Sequence, residues 1–116
     1  MFELTPEQKD IKQAVREFAE GEFREVARML DENGAFDESL WKKAAELGLL
    51  GVFVEEKYGG AGLGYLEHSI ICEELARVDC GIAHSITSTF FGTQLISLIG
   101  SEEQKKKYLT PVCKGE

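Results

Sequence analysis

Twenty consecutive residues, from Gly81 to Gly100, carry no charged side chain, although 29% of the whole chain is charged. Twenty residues is about the length of a transmembrane helix. The stretch nevertheless holds many polar groups, too many for the hydrocarbon core of a bilayer: His84, Ser85, Thr87, Ser88, Thr89, Thr93, Gln94 and Ser97. We therefore predict that it forms no membrane span and is a helix buried on more than one side.

The composition places the chain among soluble globular domains and excludes several classes of partner. Its 116 residues are 43% hydrophobic, and 13 basic side chains against 21 acidic ones give a formal net charge of −8. Nucleic-acid binding needs basic surface that displaces phosphate counterions, so we predict no nucleic-acid partner. The first residues lack the basic start and apolar run of a signal peptide. Three cysteines, an odd number, indicate reduced thiols and a cytoplasmic protein, or one of the mitochondrial matrix after processing if eukaryotic.

Apolar residues recur at helical spacing along most of the chain, and no stretch alternates as a strand would. Thr5 with Gln8, and Ser101 with Gln104, match the capping box of a helix start. Helices are predicted from Thr5 to Asn33, from about Asp37 to Gly48, from about Leu66 to Val78, through the uncharged stretch, and from Ser101 onward. The sequence thus predicts an all-α fold, an antiparallel helical bundle of about five helices with short loops, one glycine-rich, forming a single domain over residues 1–116.

Four glycines in the loop from Tyr58 to Gly64 raise the question of a phosphate cradle. Their spacing matches neither the dinucleotide-binding fingerprint nor a P-loop, and no Lys-Ser or Lys-Thr pair follows. A tight connection with positive φ angles is the alternative that we favour.

Two Cys/His pairs at helical spacing raise the question of a metal site. His68 and Cys72 are four residues apart, as are Cys80 and His84, so two helix faces could together hold zinc. The short Cys-x-x-Cys spacing of structural zinc sites is missing, and both residue types are often simply buried. We predict no metal site and keep a Cys/His metal-binding domain as the weakest alternative.

The adjacent acidic residues Glu73 and Glu74 are a poor candidate for an acid/base pair. Neighbours on a helix point about 100° apart, so their carboxylates do not face one another. We expect a solvated or salt-bridged surface, with one glutamate half-buried and paired to Arg77.

The uncharged helix is the best candidate for a binding surface. Hydroxyl groups alternate with large apolar side chains around it, and apolar walls with a few hydroxyls suit a mostly hydrocarbon ligand. The competing interpretation is an interior helix whose hydroxyls bond back to the preceding turn. An exposed apolar patch that docks another protein, making the chain a helical interaction module, is the non-enzymatic alternative.

Several fragments stand out along the chain: Glu46–Gly51 (ELGLLG), Tyr58–Gly62 (YGGAG), Glu73–Arg77 (EELAR), Gly100–Leu109 (GSEEQKKKYL) and the final Gly115-Glu116. In this order and spacing, they resemble the N-terminal helical domain of the acyl-CoA dehydrogenases. The resemblance covers nearly the whole chain. Glu55 stands where the family usually has a proline, which changes only the local turn because proline mainly restricts φ.

The resemblance implies an FAD-dependent oxidoreductase of fatty acid metabolism that removes two hydrogens from an acyl-CoA thioester. In the family a glutamate takes the α-proton, FAD accepts a hydride, and an electron-transfer flavoprotein receives the electrons. The family's β-domain and C-terminal helical domain would follow Glu116, so we expect them to be absent from these 116 residues. The base belongs to that later region, so no catalytic residue is assigned here and the isolated chain is expected to be inactive. A homo-oligomer is expected of the full enzyme.

The resemblance also assigns a role to the uncharged helix, as part of the wall around the acyl chain. Alignment back from Gly100 places substrate-binding positions at His84, Thr87, Ser88 and Phe91, with Leu95 a weaker candidate. Phe91 is bulky and would shorten the cavity. The lack of charge argues against a dicarboxylic acyl substrate. No cofactor-binding residue is assigned.

Overall fold

The computed structural model describes residues 2–116 of the chain. Within those residues it contains seven α-helices, one 3₁₀ turn and no strand. They are α1 (Pro6–Glu22), α2 (Ala27–Asn33), α3 (Glu38–Glu46), the 3₁₀ turn (Glu56–Tyr58), α4 (Tyr65–Ala76), α5 (Cys80–Thr87), α6 (Thr89–Ile99) and α7 (Glu102–Cys113). The prediction of an all-α helical bundle is confirmed.

Breaks in two predicted helices explain the larger number of segments. The first predicted helix divides between Phe23 and Val26, and the uncharged one divides at Ser88. Ser88 keeps helical angles, with φ −63° and ψ −18°, so the second break is slight. The side chain of Ser88 bonds to the Ser85 carbonyl, and the Phe91 amide bonds three residues back, to Ser88. Hydroxyl bonds of this kind compete with the regular helix ladder and often bend it.

The ends of the helices follow the predicted signals. Thr5 and Gln8 form a reciprocal capping box at the start of α1, and Ser101 and Gln104 form another at α7. Gly34, with φ at 56°, ends α2 in the left-handed conformation that glycine adopts without steric cost. These local signals placed the starts of the first and last helices correctly.

The molecule is a slab of 41 × 40 × 19 Å, so its thin dimension is about two helix diameters. Helix α1 packs on α4, α4 on α5, and α6 on α7. The core between the layers draws on α1, α3, α4, α5 and the segment 49–52. Its large buried members are Val15, Phe18, Phe23, Leu40, Leu49, Leu50, Val52, Ile71, Leu75 and Ile86.

The uncharged stretch is buried on one side only, so the prediction of burial on several sides is wrong for this structure. Ala83, Ile86 and Thr93 are buried, whereas Phe91 and Leu95 are 68% and 58% exposed. A slab two helices thick has no further layer to cover the outer face of α6. No helix within residues 2–116 combines the length and hydropathy needed to cross a bilayer.

Candidate functional site

The four predicted binding residues lie together on the exposed side of α5 and α6. His84 and Phe91 are exposed, and Thr87 and Ser88 are half-buried. At about 100° per residue, these four positions fall within an arc of about 100°. Leu95 and Leu98 extend the same stripe along α6, and Leu98 is 70% exposed. We call these six residues the α5–α6 stripe.

The hydroxyl groups of the stripe already have acceptors inside the helix. Thr87 donates to the Ala83 carbonyl at 2.9 Å, and Ser88 donates to the Ser85 carbonyl at 3.0 Å. The interpretation in which hydroxyls bond back to the preceding turn is therefore confirmed for both residues. Their remaining lone pairs can accept a hydrogen bond, but their protons are engaged. The stripe offers a ligand chiefly apolar surface.

Phe91 contacts an aromatic cluster that the sequence did not reveal. The Phe90 ring lies 5.6 Å from that of Phe91 and 4.9 Å from the rings of both Phe53 and His68. Tyr65 lies against Phe53 at 5.0 Å. Phe53 comes from the irregular segment after α3, and Tyr65 and His68 come from α4. This cluster restricts where the Phe91 ring can move, because packed rings resist displacement.

His68 is held in a nonpolar setting within this cluster. Burial lowers the pKa of its imidazole below the ordinary 6.5, which favours the neutral ring at pH 7. Its Nε2 lies 3.4 Å from Cys72 Sγ, and burial raises the pKa of that thiol. The raised pKa keeps the Cys72 thiol protonated, so it is not activated as a nucleophile. Within the part of the chain that the structure describes, no three His, Cys, Asp or Glu side chains group as metal ligands.

The acidic pair on α4 divides into one buried and one exposed carboxylate. Glu74 is 1% exposed, and its two oxygens accept hydrogen bonds from Arg16 at 2.8 and 3.0 Å. Lys12 lies 3.3 Å away, and Arg77 also lies 3.3 Å away. The Arg16 guanidinium is the main cause that lowers the pKa of Glu74 from 4.5 to about 2.

Glu74 is a structural ion, since a carboxylate with so low a pKa is a poor proton acceptor. The expected salt bridge is present. However, the buried carboxylate is fully rather than half buried, and Arg16 rather than Arg77 is its principal partner.

The glycine loop directs its amides inward, so it does not form a phosphate cradle. The amides of residues 59–63 all donate to carbonyls of residues 51–56, and the Gly64 amide donates to the Glu67 side chain. Gly59 and Gly62 have φ values of 92° and 62°, as a tight connection requires. A bound phosphate would find no free amide along this loop.

Comparison with known proteins shows which family this chain belongs to. The sequence model described as "Acyl-CoA dehydrogenase, N-terminal domain" matches residues 5–116. The chain belongs to the acyl-CoA dehydrogenase family. The resemblance drawn from its motifs is thereby confirmed.

The alignments with similar family members extend over almost the whole chain. The short-chain specific acyl-CoA dehydrogenase of Clostridium acetobutylicum is 44% identical over 117 residues, which cover 99% of this chain and 31% of that protein. The structure of butyryl-CoA dehydrogenase from Megasphaera elsdenii matches with a TM-score of 0.89 and 32% identity over 99% of this chain and 31% of that one. An acyl-CoA dehydrogenase from Bacillus anthracis, complexed with FAD, matches with a TM-score of 0.88 and 37% identity over 97% of this chain and 19% of that one.

The chain spans about three tenths of the length of the curated relatives that it matches. FAD is therefore a cofactor of relatives that are much longer than these 116 residues. In this chain the glycine loop does not fit the pyrophosphate of FAD, because its amides are already bonded. We assign no flavin contact to the described residues.

Proposed function

We propose that this chain forms one wall of the acyl-chain pocket in an FAD-dependent acyl-CoA dehydrogenase, an enzyme that oxidises the α,β carbon–carbon bond of acyl-CoA thioesters. The observation that carries the proposal is the exposed, uncharged α5–α6 stripe in a chain of this family whose remaining surface is rich in charge. A hydrocarbon chain laid along Phe91, Leu95 and Leu98 would meet exposed apolar side chains there.

In this proposal the residues of the stripe have separate tasks. Phe91, Leu95 and Leu98 pack against the acyl chain and exclude water from it. His84, Thr87 and Ser88 line the same face nearer the start of α5. The stripe carries no lysine or arginine, so a second carboxylate on the substrate would find no permanent cation on this wall. This favours monocarboxylic acyl groups over dicarboxylic ones.

The remaining parts of the enzyme lie outside the residues to which we assign functions. FAD supplies hydride acceptance when bound, and we place its site and the catalytic base in other regions of the full enzyme. We further propose an electron-transfer flavoprotein as acceptor, assembly of the full enzyme as a homo-oligomer, and a cytoplasmic or mitochondrial-matrix location.

Replacing Phe91 with alanine in the full enzyme is expected to favour longer or branched acyl chains. The substitution removes a ring that is 68% exposed on this wall and opens the space beside it. One methylene in an apolar pocket changes specificity by about tenfold or more. We expect the ratio of kcat/KM for a substrate two carbons longer to rise by about tenfold, measured by dye-linked turnover over a series of acyl-CoA esters.

The matched control for this experiment is Phe2→Ala, which removes another exposed phenylalanine. Phe2 is 96% exposed, lies before α1 and is not a member of the stripe. Its removal should leave the chain-length profile unchanged. If Phe91→Ala also leaves the profile unchanged, Phe91 does not contact the acyl chain.

The 116-residue chain by itself is expected to turn over no acyl-CoA. Neither α5 nor α6 contains an acidic residue, so the two helices that carry the stripe supply no carboxylate for α-proton abstraction. Incubation of the purified chain with FAD, butyryl-CoA and an electron-accepting dye should give no reduction above that of the free flavin. Sustained, protein-dependent reduction would contradict the proposed division of roles.

A further inference from the structure

A cavity of about 310 Å³ lies between α2, α3 and the start of α5. Phe36 and Trp41 form part of its aromatic lining, and their rings meet edge to face with centroids 5.6 Å apart. Phe36 is 56% exposed, so apolar surface is open to solvent here. We call this cavity the α2–α5 groove. Its volume and aromatic lining suit one or two side chains of a binding partner.

The charge around the α2–α5 groove has a single sign. Asp31, Asp37 and Asp79 line it, and within residues 2–116 no lysine or arginine does. Asp37 and Asp79 each use one carboxylate oxygen, Oδ1, to cap a helix, and this offsets the positive ends of α3 and α5. Asp31 is exposed near the C-terminal end of α2, where the helix dipole is also negative.

We propose that the α2–α5 groove binds a segment of another polypeptide that carries an arginine beside a bulky apolar side chain. The carboxylates attract the guanidinium, and the Phe36 and Trp41 rings accept its flat face. The neighbouring apolar side chain of the partner fills the rest of the groove. Arginine fits better than lysine because a planar guanidinium stacks on a ring while it also pairs with a carboxylate.

This site shares no residue with the proposed acyl wall, although the two adjoin on α5, where Ser88 of the stripe donates to the carbonyl of Ser85 in the groove. Ile82 and Ile86 line the groove, whereas His84 belongs to the stripe. Ile82 and His84 are separated by about 200° around the helix. The lining and the charges of the groove are observed independently of the acyl wall, so this inference does not depend on the proposed function.

The test uses two peptides that differ only in charge. Acetyl-Leu-Arg-Phe-amide carries the proposed chemistry, and acetyl-Leu-citrulline-Phe-amide is its neutral isostere. Trp41 is the only tryptophan in the chain and lines the groove, so its fluorescence reports on the groove. Its indole N–H donates to the Gly115 carbonyl at 3.1 Å, so the N–H resonance responds to the groove through the ring. We expect the arginine peptide to shift both signals at concentrations on the order of millimolar. The citrulline peptide should bind about threefold to fivefold more weakly, as for an exposed charge pair.

Matched variants of the chain locate the charge effect. Asp31→Asn removes a carboxylate that caps no helix start, and it should weaken the arginine peptide about twofold to fivefold without changing the citrulline peptide. Asp10→Asn, an exposed position on α1 outside the groove, should change neither. Three outcomes would each overturn the proposal. The first is equal binding of the two peptides, and the second is a Trp41 signal that does not move at peptide concentrations up to roughly 10-fold above the expected range. The third is an Asp31→Asn chain that binds the arginine peptide as the original chain does.

Discussion

Replacing Glu74 with glutamine is expected to lower the free energy of unfolding of this chain by about 2–3 kcal/mol at pH 7. The Glu74 carboxylate is buried and joins α4 to α1 through Arg16 and Lys12. A pKa of about 2 in place of 4.5 corresponds to about 3 kcal/mol of favourable interaction. Solvent around the Arg16 and Lys12 side chains, 40% and 33% exposed, reduces that figure.

The effect of this substitution should disappear in acid. Because the pKa of Glu74 is lowered on folding, its contribution to stability is complete above about pH 4.5 and is lost as the pH falls towards 2. Below about pH 2, the carboxyl becomes protonated in the folded chain as well as in the unfolded one. Urea denaturation followed by circular dichroism, at a series of pH values, should therefore show the two curves converging.

The neighbouring residue offers the control for the Glu74 variant. Glu73 has a side chain that is 70% exposed and lies 3.7 Å from Lys12. Glu73→Gln removes the same charge from the next position of α4, and we expect a change within about 0.5 kcal/mol. Equal destabilisation by both variants, or a Glu74 effect that persists unchanged below pH 2, would show that the buried ion pair is not its cause.

The Glu74 cluster also shows why this network could not be predicted in full from the sequence. Arg77 is three residues away, so local spacing suggested it as the partner. Arg16, the principal partner, is 58 residues away along the chain and is brought there by the packing of α1 on α4. Distant pairs of this kind depend on the tertiary arrangement, which helical periodicity does not specify.

The sequence predicted the order of the helices well because their signals are local. The capping boxes at Thr5 and Ser101 and the glycine after α2 each act within one turn. The breaks after α1 and at Ser88 were missed, because a short interruption leaves the apolar period on both sides nearly unchanged. Tertiary packing, rather than propensity, decides whether such a helix continues.

In the candidate site, too, the features set by local spacing could be predicted from the sequence, and those set by tertiary packing could not. The family resemblance implies the choice of His84, Thr87, Ser88 and Phe91, and their spacing of three and four residues places them on one helix face. Their role in binding stays a prediction. The aromatic support from Phe53 and the α4 side chains comes from other segments and had no signal in the spacing of residues. Exposure of the stripe was predicted only in the alternative of an exposed apolar patch, since exposure depends on how many helical layers the domain has.

Replacing Gly60 with alanine is expected to lower the free energy of unfolding by about 3–4 kcal/mol, a larger loss than that expected for Glu74→Gln. A Cβ at this position would lie within 3.0 Å of three Val54 atoms, including its backbone carbonyl oxygen and carbon. The Gly62 amide bonds to that same Val54 carbonyl at 2.8 Å. Backbone cannot retreat as the tip of a long side chain can, so the loop must separate from residues 51–54.

Separation of the loop would open the second core cluster, which consists of Val54, Tyr58, Leu109 and Cys113. The expected loss combines overpacking, about 1–3 kcal/mol, with at least one buried backbone hydrogen bond, about 1 kcal/mol. Leu109 and Cys113 belong to α7, so we expect amide exchange in α7 to accelerate together with that of the loop.

Alanine substitutions at two other glycines serve as controls that distinguish the effect of steric clash from the effect of backbone strain. Gly62→Ala places a side chain at φ 62° with only the flexible Glu56 side chain nearby, so we expect a loss of about 1–2 kcal/mol. Gly92 lies in α6 with nothing within 4 Å of an added Cβ, so Gly92→Ala should stabilise the chain by up to about 1 kcal/mol. Thermal and urea unfolding should therefore rank the three variants Gly60, Gly62, Gly92 from most to least damaging. A Gly60→Ala chain as stable as Gly62→Ala would mean that the loop relaxes away from Val54 without opening α7, and the close approach would then have no structural role.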